Sequence, residues 1–137
     1  MYLIDSNIFL ELILGRKHAL DCQKLFEKIE EKKLVAVCSH FSVFSICIYL
    51  TKNHKVGAAK KFLEYVFSLD GLKVVNTTVQ DDLKIIELME KTGLDFDDCL
   101  QYYVALETNC LGIISFDKDF KKTKLNAFFP AQVLEGI

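Results

Sequence analysis

The chain has 137 residues, 17 basic and 19 acidic, for a net charge of −2, which singles out neither a polyanion binder nor a binder of acidic substrates. Apolar residues make up 51% and charged residues 26%, which excludes disorder and implies one compact soluble domain over residues 1–137. No apolar run approaches the roughly 18 residues that span a membrane; the longest, Phe41 to Leu50, contains Ser42 and Ser45 and reads as a buried helix.

In chain order, Met1–Asp5 is a short apolar run ending in an aspartate, the pattern of a buried parallel strand delivering a carboxylate to a sheet edge. It begins at the first methionine, so no targeting segment is expected and a cytoplasmic location is. Ile8, Leu12 and Ile13 suggest a short helix ending near Gly15. From His18 to Lys33, Ala19, Cys22, Leu25, Phe26 and Ile29 line one helix face and the other is charged. Leu34–Cys38 has strand composition, and Ser39 can cap a helix running to about Asn53. Val56–Leu69 is a helix, Asp70-Gly71 a turn, and Leu72–Val75 a strand. Thr78-x-x-Asp81 resembles a capping box opening a helix through Lys91, with Gly93 as its stop. A further helix is expected from about Asp98 to Asn109, then a strand at Leu111–Ser115 and a short edge strand near Phe128, with Pro130 in the tail.

Alternating strands and helices predict an α/β/α sandwich around a mostly parallel sheet of four to five strands. The five cysteines are odd in number, include no Cys-x-x-Cys pair and lie in apolar segments, which predicts reduced, buried thiols. Two basic clusters stand out: Lys52, His54, Lys55, Lys60 and Lys61, and then Lys118, Lys121, Lys122 and Lys124. Each is either a solvated face or, beside a catalytic site, a phosphate-facing rim.

Three acidic features share a context. Asp5 and Asp117 follow strands, and Asp97-Asp98 opens a helix, where the acids can simply favour the positive helix terminus. In a parallel sheet the strand ends open on one edge, so these carboxylates can converge there. Clustered carboxylates repel unless a cation lies among them, and oxygen ligands without His or Cys suit Mg²⁺ or Mn²⁺. Such an ion activates water for attack at phosphorus, which points to phosphodiester hydrolysis.

Tyr2-Leu-Ile-Asp5-Ser-Asn7, Asp98-x₆-Ala105 and Ile114-Ser-Phe-Asp117-Lys-Asp119-Phe120 together resemble the three acidic motifs of PIN domains, in order, spacing and chain length. The resemblance implies a parallel sheet flanked by helices, a Mg²⁺- or Mn²⁺-dependent endoribonuclease acting on RNA, frequent homodimers and, for toxins of VapBC pairs, an antitoxin partner. It makes Asp5, Asp98 and Asp117 the catalytic metal ligands, Asn7 and Asp119 auxiliary positions, and Asp97 the competitor of Asp98. It also implies a glutamate in the helix after the second strand, where this chain has Ser45, and no acid lies between Glu31 and Glu64. Compensation from Glu11, Asp97 or Asp119 is conceivable. Otherwise the domain is a weakened or inactive one that binds RNA or protein. A phosphoacceptor or haloacid-dehalogenase-like fold fits less well, because Asp5-Ser-Asn7 lacks the second aspartate of the latter.

Overall fold

A computed structural model describes residues 1–137. Five strands, β1 (Tyr2–Ile4), β2 (Ala36–Ser39), β3 (Leu72–Val75), β4 (Gly112–Ile114) and β5 (Asn126–Phe128), form one sheet in the order β3-β2-β1-β4-β5. Every pairing is parallel, so the sheet is wholly rather than mostly parallel. Seven helices accompany it: α1 (Ser6–Ile13), α2 (Ala19–Glu30), α3 (His40–Lys52), α4 (Val56–Ser68), α5 (Val79–Thr92), α6 (Phe96–Glu107) and α7 (Pro130–Glu135).

The central strands β1, β2 and β4 are buried on both faces, which is why they read as continuous apolar runs, whereas the edge strands β3 and β5 are partly exposed. Alternate residues of each strand serve opposite layers. Leu3, Val37 and Ile113 pack with Ile85, Leu100 and Val104 of α5 and α6. Ile4, Cys38 and Ile114 pack with α1 to α4 through Phe9, Phe26, Ile46 and Phe62. Cys22, Cys38, Cys99 and Cys110 are buried, Cys47 is half-buried, and burial pushes the Cys22 and Cys38 thiols up to about 12.

Local signals set most boundaries. The Ser39 hydroxyl accepts the Ser42 N–H at 3.0 Å to start α3. Thr78 and Asp81 exchange the two bonds of a capping box at 3.2 and 2.8 Å. Gly93 ends α5 at φ +71°, a left-handed conformation that suits glycine. Gly112 is required for another reason: a Cβ there would lie 2.5 Å from both the Asn126 carbonyl and the Phe128 ring on β5.

Two expectations are corrected. The helix expected from Asp98 begins at Phe96, because the Asp95 carboxylate accepts the Asp98 N–H at 3.2 Å and acts as the cap. The tail is a helix, α7, with Pro130 in its first turn, where the missing N–H costs no intrahelical bond.

Candidate metal centre

β1 and β4 are neighbours, and their register pairs Ile4 with Ile114. The chain leaves β1 toward β2 on one side and returns through β4 on the other. This switch point lies where ligands bind in open parallel sheets, outside the carboxyl ends of the strands. The residues that immediately follow, Asp5 and Ser115, therefore meet. The Ser115 hydroxyl donates to Asp5 Oδ2 at 2.6 Å, and the Ser6 N–H donates to Asp5 Oδ1 at 2.8 Å, so the same carboxylate caps α1. Ser115 Oγ also accepts from Asn7 Nδ2 at 3.1 Å and from the Asp117 N–H at 2.9 Å. One hydroxyl thus locks the ends of two strands together. Burial pushes the Asp5 carboxyl up, against the hydrogen bonds from Ser115 and Ser6, and the charge on Asp117 adds to the rise.

A polar cleft of about 230 Å³ opens over these residues, lined by Asp5, Asn7, Ser45, Asp98, Gln101 and Asp117 among others. Asp97 lines its margin. The tightest carboxylate set is Asp98, Asp117 and Asp119, whose oxygens lie within 4.8 Å of one another. Asp5 stands outside that set, at the floor of the same cleft, with both oxygens already hydrogen-bonded. Asp119, expected only as an auxiliary residue, is inside it. Its N–H also donates to Asp117 Oδ1 at 2.8 Å, opening a 3-10 turn over Lys118–Lys122.

Desolvation, followed by the charges of Asp117, Asp95 and Asp5, pushes the Asp98 carboxyl up to about 7. Asp97 is also raised, by burial and by a shared hydrogen bond with Asp95, which is itself held low. Asp97 and Asp98 both engage the capping residue Asp95, and Asp98 alone of the two also joins the convergent set. The donor set fits a hard divalent cation: several carboxylates, no His or Cys, and mutual repulsion that a cation would relieve.

Ser45 is half-buried and lines the cleft, one helical turn after Ser42. Glu11 does not line the cleft, and its carboxylate accepts the His18 N–H at 3.2 Å. Gln101, Ser42 and Ser115 were missed as site residues. Gln101 Nε2 donates to Ser42 Oγ at 2.6 Å, while its buried Oε1 has no partner. The signal for Gln101 was present: it interrupts the apolar run Cys99–Ala105 three residues after Asp98, on the same helix face.

The two basic clusters part company. Lys118 and Lys121 line a second cleft that shares Asp117 with the acidic one. Lys61 instead lines an apolar groove beside Phe9, Leu12 and Phe62, away from the acids. No helix is long and apolar enough to cross a membrane.

The family model of the PIN domain matches residues 2–125, so the chain belongs to the PIN domain family. No curated protein matches the sequence. Solved structures share the fold. The Mycobacterium tuberculosis VapC20, described as a sarcin-ricin loop cleaving toxin, is 15% identical with a TM-score of 0.77, over 92% of this chain and 97% of that one. VapBC2 from Rickettsia felis, bound to a DNA fragment from their promoter, is 18% identical with a TM-score of 0.71, over 93% and 97%. A toxin–antitoxin complex from Klebsiella pneumoniae is 17% identical with a TM-score of 0.70, over 95% and 98%.

Proposed function

We propose that this chain is a Mg²⁺- or Mn²⁺-dependent endoribonuclease, the toxin of a toxin–antitoxin pair, working in the cytoplasm. The observation that carries the reading is the convergence of Asp98, Asp117 and Asp119 above Asp5 at the switch point of the sheet. Asp98 and Asp117 would hold the cation, with Asp5 beneath them and Asp119 closing the set. When bound, the ion would lower the pKa of water and offset charge on the phosphodiester. The chain's own groups do the rest. Ser115 and Asn7 fix Asp5 and the start of the Asp117 turn, so the carboxylates are held in place before RNA arrives. Asp98, whose carboxyl is raised by burial and by its acidic neighbours, would give up that proton as the cation binds. Lys118 and Lys121 supply positive charge on one side of the acids.

Labelled RNA incubated with Mg²⁺ or Mn²⁺ tests this. The wild-type chain is expected to cut it, and Asp5→Asn to lower the rate at least about a hundredfold, as for loss of a group that organises a metal site. Equal cleavage by the variant would trace the activity to a contaminating nuclease.

A second reading is favoured by Ser45: a weakened PIN domain that binds RNA or a protein partner without turnover. It requires binding with no cleavage under either ion. The toxin assignment draws on the structural neighbours and predicts a small overlapping upstream reading frame for an antitoxin. The homodimer draws on apolar side chains exposed on α3 and α4, among them Phe44, Ile48 and Phe67.

A further inference from the structure

Beside the acidic cleft lies a second one of about 180 Å³, and the two meet at Asp117. Its lining combines three kinds of group. Lys118 and Lys121 are exposed, and neither forms an ion pair, although Asp117 and Asp119 are close in sequence. Phe129 offers an aromatic face that is 43% exposed. That ring packs on Phe116 at 5.6 Å between centroids in a tilted arrangement, and Phe116 is stacked in turn on His18 at 5.1 Å. Phe129 is therefore held by aromatic packing. Ser115 and Ala127 line the cleft with Asp117, and Gln132 adds an amide. Its Oε1 accepts the Phe129 N–H at 2.7 Å, which commits the carbonyl end and leaves Nε2 as a donor of fixed orientation.

These groups have complementary uses for one ligand. Bases stack on exposed aromatic faces, ammonium groups take backbone phosphates, and an oriented amide donor suits an acceptor on a base edge. A free phosphate would have no use for the ring. A second cation would be repelled by the two lysines. A single-stranded nucleotide uses all three, and the shared Asp117 sets it next to the phosphate under attack.

We propose that this cleft is the binding subsite for the RNA nucleotide adjacent to the scissile phosphate, with Phe129 as its stacking platform, Lys118 and Lys121 as its phosphate contacts and Gln132 as its base-edge donor. The proposal rests on reading the acidic cleft as a ribonuclease site. It gives the lysine cluster at residues 118–124 a role that the cluster at residues 52–61 lacks.

The test uses the full chain carrying Asp98→Asn, so that RNA is bound and not cut, and a short unstructured fluorophore-labelled RNA followed by anisotropy. Phe129→Ala is expected to weaken binding about tenfold, or ~1.4 kcal/mol, and Phe129→Tyr to retain it. Lys121→Gln should lower the slope of log K against log salt by about 0.7, the value for one phosphate on a single strand. Lys61→Gln should leave both quantities unchanged. Circular dichroism of each variant verifies the fold; if Phe129→Ala unfolds, the Lys121→Gln slope against Lys61→Gln decides. If RNA binds but neither Phe129→Ala nor Lys121→Gln differs from the parent, the subsite is overturned and the ribonuclease reading stands. If the parent binds no RNA and the wild-type chain cuts none, both fall.

Discussion

Ser45 occupies the corner of the acidic cleft where the PIN resemblance implies a glutamate, and its neutral hydroxyl adds no charge to the site. A cation held by fewer carboxylates is bound more weakly, since affinity follows the charge count of the ligands. Ser45→Glu is therefore expected to tighten Mn²⁺ binding roughly tenfold by titration calorimetry; an unchanged affinity would show that this position does not face the ion. Asp98 carries a second consequence. Its carboxyl is raised from 3.8 to about 7 in the folded chain, so the native state holds this proton more tightly than the unfolded state does. Well below the unfolded value of 3.8 both states are protonated and the group costs nothing; as pH rises from there toward about 7 the native state is progressively penalised. In chelator, Asp98→Asn should match the parent at about pH 3 and exceed it in stability at about pH 8, as read by urea unfolding. The opposite trend would mean that Asp98 is not desolvated among like charges. Mn²⁺ competes with the same proton, so its apparent affinity should climb most steeply near pH 7.

Among the elements, α6 matters most, because its first turn presents Asp98. Three acids in four positions, Asp95, Asp97 and Asp98, are all good helix-start residues, and composition alone does not rank them. The ranking comes from the tertiary structure: the Asp95 carboxylate accepts the Asp98 N–H, and an Asp98 oxygen lies within 4.8 Å of oxygens of Asp117 and Asp119. Asp95→Ala is expected to cost about 1 kcal/mol of stability in denaturant titration, and Asp97→Ala much less. Similar costs for the two would remove Asp95 as the cap. The other boundaries were readable where a residue type has one dominant use, as with Ser39, the Thr78–Asp81 box and Gly93. Helix α7 was not readable. Its six residues are too few for periodicity, and Pro130 marks a helix start as well as a break.

At the scale of the whole molecule, α3 and α4 leave apolar side chains outside the core, with Phe67 at 94% exposure. A second copy covering this face would remove that surface from water. Phe67→Asp should therefore shift the mass in sedimentation equilibrium from twice 15.7 kDa toward 15.7 kDa while changing monomer stability by no more than about 0.5 kcal/mol. A wild-type chain that is already monomeric at high concentration would sink the homodimer. The layered α/β architecture was legible in the sequence alone, as were Asp5, Asp98 and Asp117 as candidate acids. Apolar runs, helical periodicity and strand-then-acid spacing are local properties, and each is written in consecutive residues. The company those acids keep was decided only by the tertiary structure. The placement of β1 beside β4 brings Ser115 onto Asp5, 110 positions away in the chain. The same fold draws Asp119 into the tightest carboxylate set, turns Glu11 toward His18, and leaves one lysine cluster beside the acids and Lys61 of the other in a distant groove. Strand order and side-chain direction set those contacts, and neither is encoded in any short stretch of the chain.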